Sequence, residues 1–152
     1  WGMAPAYDKF LVNNTDQPAK YGASVRVVFD DTTVYIGARC PEPDVKSILT
    51  EALPRDHANV FRTDCIEVML DPGRTQNDYV HIAINASGSI ADRACTQGGF
   101  VGDMTWDSHA SGASSIGTRC VISGSTRSPP SSMNRRHSSI LRLVVQGTNT
   151  GG

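Results

Sequence analysis

Phe61, Glu67, His81 and Asn85 are the residues of this chain whose chemistry and spacing suit recognition of a neutral, hydroxyl-rich ligand. Carboxylate and amide groups bond hydroxyls, and an aromatic ring covers the apolar face of a pyranose. A side-chain period of two puts Asp64, Ile66, Val68 and Leu70 on one face of the run 64–71, and Cys65, Glu67, Met69 and Asp71 on the other. The run 79–85 likewise separates Val80, Ile82 and Ile84 from Tyr79, His81, Ala83 and Asn85. Two neighbouring strands would thus share an apolar face and a mixed polar face carrying Glu67, His81 and Asn85, with Phe61 just ahead of the first strand. The expectation is an open, wet surface there.

The same alternation argues against catalysis, because it sends Asp64 and Glu67 to opposite faces, where they cannot act as a glycosidase pair. His57, His81, His109 and His137 are scattered and accompany no nucleophile motif of the G-x-S-x-G kind. No catalytic residue is assigned, and the chain is expected not to be an enzyme. Met69 and His81 on one face leave a haem-binding alternative, the weakest of those considered.

The elements that must position these side chains read as short strands. Val25, Val27 and Phe29 alternate along 23–30, and a second strand over 33–40 follows the turn pair Asp30-Asp31, so the two form a hairpin stopped by Pro41 and Pro43. Residues 64–71 close at Asp71-Pro-Gly-Arg and residues 79–85 at Ala-Ser-Gly. Residues 44–55 read as a connection. Beyond Gly98 the composition shifts to Ser, Gly and Thr, with strand-like runs only at 118–122 and 140–145, and with residues 125–139 expected to be a long exposed loop or disordered. Short strands punctuated by Gly, Pro and Asp, without a long amphipathic helix, predict an all-β antiparallel sandwich, immunoglobulin-like or jelly-roll-like, with an irregular C-terminal third.

Composition sets the outer bounds. The chain has 152 residues, enough for one core, and 14 Lys and Arg balance 15 Asp and Glu to a net charge of −1. That balance offers no basic field to nucleic acid or an anionic membrane. No apolar run reaches the roughly 18–20 residues that span a bilayer. Four cysteines, Cys40, Cys65, Cys95 and Cys120, lack zinc-site spacing; if a disulfide forms, Cys95–Cys120 is the expected pair. Asn13 and Asn85 each begin a glycosylation acceptor pattern.

Three segments carry a family resemblance: residues 30–44, from Asp30-Asp-Thr-Thr-Val-Tyr to Pro43-Asp44; residues 61–72, Phe61-Arg-Thr-Asp-Cys-Ile-Glu-Val-Met-Leu-Asp-Pro72; and residues 79–88, Tyr79-Val-His-Ile-Ala-Ile-Asn-Ala-Ser-Gly88. In residues and spacing they resemble the family 9 carbohydrate-binding modules, over roughly residues 1–92. The resemblance implies a β-sandwich of the DOMON-like kind, from a secreted protein, that binds a glucan or xylan without catalysis. By motif, Phe61 stands where the family often has a ligand-clamping Trp, Glu67 matches the strand Glu that bonds sugar hydroxyls, and Asn85 matches a strand-end Asn. Ala83 stands where an Arg can contact sugar. No cofactor is implied beyond structural calcium, for which Asp30, Asp31, Asp44, Asp71 and Asp78 are the loop carboxylates. The later strands that complete the family's clamp have no counterpart after Trp106.

The domain organisation read from these features is a carbohydrate-binding-like sandwich over 1–122 and a Ser/Pro/Arg-containing tail over 123–152 that adds one strand at 140–145. The alternative function is a structural, self-associating extracellular β domain whose unpaired edge strands accept a second copy.

Overall fold

Asp30 makes the first hairpin. Its side-chain Oδ1 accepts from the backbone N–H of Thr32 and Thr33, both at 2.9 Å, closing a turn between β1 (Ser24–Phe29) and β2 (Thr33–Arg39). The register runs from Phe29 opposite Val34 to Ser24 opposite Arg39. Alternation then places Val25, Ile36 and Ala38 in the core.

The structure is a computed structural model and describes residues 2–115, 119–125 and 140–146, with side chains through Ser114. The remaining strands are β3 (Cys65–Asp71), β4 (Tyr79–Asn85), β5 (Ile90–Thr96), β6 (Val101–Asp103), β7 (Ser111–Ser115), β8 (Arg119–Ser125) and β9 (Ile140–Gln146). They form two antiparallel sheets, ordered β1-β2-β8-β7 and β6-β5-β4-β3-β9. The described residues contain no α-helix, only the 3₁₀ turns η1 (Val45–Ser47), η2 (Ala58–Arg62) and η3 (Gln97–Gly99). The all-β antiparallel sandwich expected from the sequence is the observed fold.

The core lies between the sheets. Val25 and Ile36 from one sheet meet Ile66, Val68, Ile82 and Ile84 from the other, each buried aliphatic side chain contributing roughly 1.5–3 kcal/mol of hydrophobic stabilisation. The even-numbered residues of β3 and β4 therefore face inward, as alternation requires. On the far edge of β1, Tyr7 and Val25 exchange two backbone hydrogen bonds of 2.8 Å, so the N-terminal segment pairs with part of that edge.

Several expectations need amendment. Strand β5 was not legible, because Asp92 and Arg93 interrupt the apolar pattern of Ile90–Thr96; β6 and β7 are short and polar. Strand β8 runs across the 122/123 boundary drawn between domain and tail, while β9 lies where the sequence placed a strand, at 140–145, and joins the five-stranded sheet beside β3. The loop expected over 125–139 falls, beyond Ser125, outside the described residues. The Cys95–Cys120 disulfide is not formed: Cys95 is a free, buried thiol in β5, whereas Cys120 belongs to β8 of the other sheet.

Candidate functional site

The odd-numbered residues of β3, β4 and β5 form the outer face of the five-stranded sheet. Register sets Met69 opposite His81 and His81 opposite Arg93; one step along, Glu67 faces Ala83 and Ala83 faces Ala91. Glu67 and His81 are thus diagonal neighbours, a separation that long side chains span across an antiparallel pair. His81 Nε2 lies 2.5 Å from Glu67 Oε2. Arg93 Nε and Nη2 reach His81 Nδ1 at 3.2 and 3.0 Å.

This chain of contacts fixes a tautomer. A guanidinium nitrogen can only donate, so His81 Nδ1 must accept, and the neutral ring carries its proton on Nε2 and donates it to the Glu67 carboxylate. Positive Arg93 and negative Glu67 stand at the two ends of the relay. Glu67 Oε1 is buried and has no hydrogen-bond partner; an orphaned acceptor of this kind costs about 1–3 kcal/mol.

The face is covered, which corrects the expectation of an open surface. Glu67 is 5 % exposed, His81 3 % and Asn85 1 %. Two alanines, Ala83 and Ala91, leave a shallow bay in which Val60 of η2 packs, with Leu53, Phe61 and Met104 around it. Phe61 lies half-buried, its ring 4.9 Å from that of His81 and 4.9 Å from the Arg93 guanidinium carbon. His57 caps η2 by accepting from Asn59 N–H through Nδ1 at 3.2 Å.

Asn85 has a different task from its strand neighbours. Its Oδ1 accepts from Ser87 and Ser89 N–H at 3.0 and 2.9 Å, closing the β4–β5 turn. Its Nδ2 donates to Glu51 O at 2.8 Å, anchoring the segment that leads to η2. The structure therefore brings together Phe61, Glu67 and His81, and assigns Asn85 to holding the covering loop. Arg93, which sequence reasoning missed, completes the cluster; the signal available was its odd position in a run opening and closing on Ile90 and Cys95.

A second network locks the cover to β5. Asp92, fully buried on the inward side of β5, accepts from Arg55 Nη2 at 2.5 Å, from Ser108 Oγ at 2.7 Å and from Ser108 N–H at 3.2 Å. Arg55 also reaches Asp107 Oδ1 at 2.7 Å and Ala110 O at 2.9 Å. Burial pushes the Asp92 carboxyl upward, opposed by the Ser108 hydrogen bonds and the Arg55 charge. The Cys95 thiol is likewise pushed up by burial, with the Arg93 charge and hydrogen bonds from Tyr79 and Arg93 working against it.

Beside η2 runs a shallow groove, with Leu49, Thr50 and Glu51 on one bank and Asn59, Arg62 and Thr63 on the other. Leu49 N–H donates to Asp64 Oδ2 at 2.6 Å, tying one bank to the start of β3.

Among the described residues no three Asp, Glu, His or Cys side chains are grouped so as to hold a metal ion. Asp30 and Asp44 serve their own turns, and Asp71 accepts from Gln76 N–H at 2.7 Å through Oδ2. Asp71 Oδ1 is buried without a partner. His81 has both ring nitrogens engaged by Glu67 and Arg93.

The fold is a β-sandwich of the kind found in carbohydrate-binding modules. A family 9 carbohydrate-binding module from Caldicellulosiruptor kristjanssonii, solved with glucose, superposes with a TM-score of 0.56 at 15% identity, covering 86% of this chain and 61% of that one. The same organism's module with cellotriose gives 0.56 at 16% identity, covering 86% and 60%. A protein from Bacteroides uniformis ATCC 8492 for which carbohydrate binding has been proposed gives 0.63 at 14% identity, covering 82% and 62%. The likeness is one of fold, and the chain spans about three fifths of the length of each neighbour. No protein-family model and no curated protein matches the sequence.

Proposed function

We propose that this chain is a non-catalytic carbohydrate-binding module that takes a glucan or xylan oligosaccharide at the Phe61, Glu67, His81 and Arg93 cluster. The observation that carries the reading is Glu67: one carboxylate oxygen is fixed by His81, the other is buried without a donor, and a guanidinium and an aromatic ring stand alongside. A sugar hydroxyl both donates and accepts, so it satisfies the free Glu67 oxygen while accepting from an Arg93 N–H. Arg93 then does the work for which Ala83 has no side chain. Fold neighbours solved with glucose and cellotriose support the ligand class.

Because Glu67 Oε1 is buried, the reading requires η2 and Phe61 to give way as the sugar arrives. The groove along Leu49, Glu51 and Arg62 offers room for a further sugar unit. Modules of this kind act in secreted, multidomain proteins, and we place this one outside the cell on that ground. Among the described residues no helix is long and apolar enough to cross a membrane.

Isothermal calorimetry with glucose, cello-oligosaccharides and xylo-oligosaccharides tests the reading. Binding that disappears in Glu67→Ala is expected; no heat with any glycan, or an unchanged Glu67→Ala, would sink it.

A self-association reading keeps one supporting observation. Strand β6 is three residues long at the edge of its sheet, and the adjoining Phe100 is 92 % exposed. A second copy adding a strand there would cover both. Light scattering that gives a monomer mass at every concentration excludes it.

A further inference from the structure

We infer that His81 is a positioning residue: through its Nε2–H tautomer, imposed by Arg93, it holds the Glu67 carboxylate in the rotamer that leaves Oε1 as the ligand acceptor. The inference rests on the carbohydrate reading of this face and changes the role expected of His81 from sugar contact to internal relay.

Geometry carries it. Both ring nitrogens of His81 are occupied, Nε2 by Glu67 at 2.5 Å and Nδ1 by two Arg93 nitrogens at 3.0 and 3.2 Å, so no lone pair or N–H of the ring is left for a ligand. The ring is also buried, with Phe61 packed 4.9 Å away on one side and Tyr79 6.4 Å away. A long carboxylate side chain on a strand can take several rotamers. The Nε2–H bond selects one of them and consumes Oε2. Arg93, whose charge would otherwise draw the carboxylate to itself in a fork, is instead spent in part on Nδ1. The cluster thus keeps a bound acceptor and a guanidinium donor apart, with the neutral imidazole as spacer. A ligand bridging them must offer a hydroxyl donor to Glu67 and an acceptor to Arg93. Polyols and sugars meet that requirement, whereas a carboxylated ligand would face the unpaired Glu67 oxygen.

The experiment combines ¹⁵N spectroscopy of His81 with calorimetry on the full chain. In the ligand-free protein, a protonated Nε2 and a bare Nδ1 are expected; an Nδ1–H tautomer overturns the inference whatever the glycan result. With the tightest-binding oligosaccharide of the panel above, His81→Phe should lose at least tenfold in affinity. His81→Gln, whose amide N–H can serve Glu67 and whose carbonyl can accept from Arg93, should recover to within about threefold of wild type. A folded His81→Phe that binds as wild type overturns the positioning role alone. A wild type that binds no glycan overturns the carbohydrate reading, and the positioning role falls with it.

Discussion

The Arg93 guanidinium lies over the ring of Phe61, 4.9 Å from its centroid, although the two residues belong to a strand and to a turn that crosses it. The contact joins the cover to the relay beneath it. It also means that the Phe61 ring is held between the Arg93 guanidinium and the His81 imidazole, whose ring centre lies 4.9 Å away.

From this contact follows a pair of opposed outcomes. Phe61→Ala should destabilise the chain by about 2 kcal/mol, since a half-buried ring and a cation–π contact are lost. Phe61→Trp should keep the fold and raise sugar affinity several-fold, because the indole offers more stacking area. Urea unfolding checks the first and calorimetry the second; equal affinity of Phe61→Ala and wild type would remove Phe61 from the site.

Arg55 is expected to matter for stability more than its surface position suggests. Arg55→Ala leaves the buried Asp92 without its cation and should cost about 2–3 kcal/mol. Arg55→Lys should recover only part, because an ammonium cannot reach Asp92, Asp107 and Ala110 O as a planar fork does. Denaturant midpoints of the two variants decide this.

Asn85 should behave as a structural residue. Asn85→Ala removes two acceptor bonds to the β4–β5 turn and one donor bond to Glu51 O, a loss of about 2 kcal/mol. Its acceptor pattern should stay unmodified in folded protein from a glycosylating host, while the exposed Asn13 remains open to the transferase. Peptide mass spectrometry that finds a glycan on Asn85 in folded protein would contradict its placement.

Acid should act on stability in two directions. The Asp92 carboxyl is raised by burial, so the folded state takes up its proton first; its contribution grows as pH falls through the raised value and is complete below the unfolded value of 3.8. Asp107 is lowered by the His109 backbone hydrogen bond, and Asp103 by the Thr105 hydroxyl and backbone. Their contributions are present above the unfolded value and disappear as pH falls through the lowered ones. The thermal midpoint should therefore hold or rise on acidification toward the carboxylate range and drop below it. Asp92→Asn should flatten the first limb and leave the second, as scanning calorimetry against pH would reveal.

The sequence by itself determined the sandwich. Alternation in 24–29, 33–39, 65–71 and 79–85 fixed which side chains face the core, because a period of two leaves no freedom once one face is apolar. It also placed Glu67 and His81 on a common face. What it left undecided is what lies on top of that face, since burial of a polar face depends on segments remote in sequence. Val60 fits over Ala83 and Ala91 only because η2 folds back across three strands, and Asn85 holds that cover through Glu51 O. Arg93 escaped notice because β5 carries a buried carboxylate at a core position, and Asp92 is tolerated there through Arg55 and Ser108, supplied by loops distant in sequence. Tertiary structure alone turned an acidic and an imidazole side chain on neighbouring strands of one sheet face into a closed relay with a single oxygen to spare.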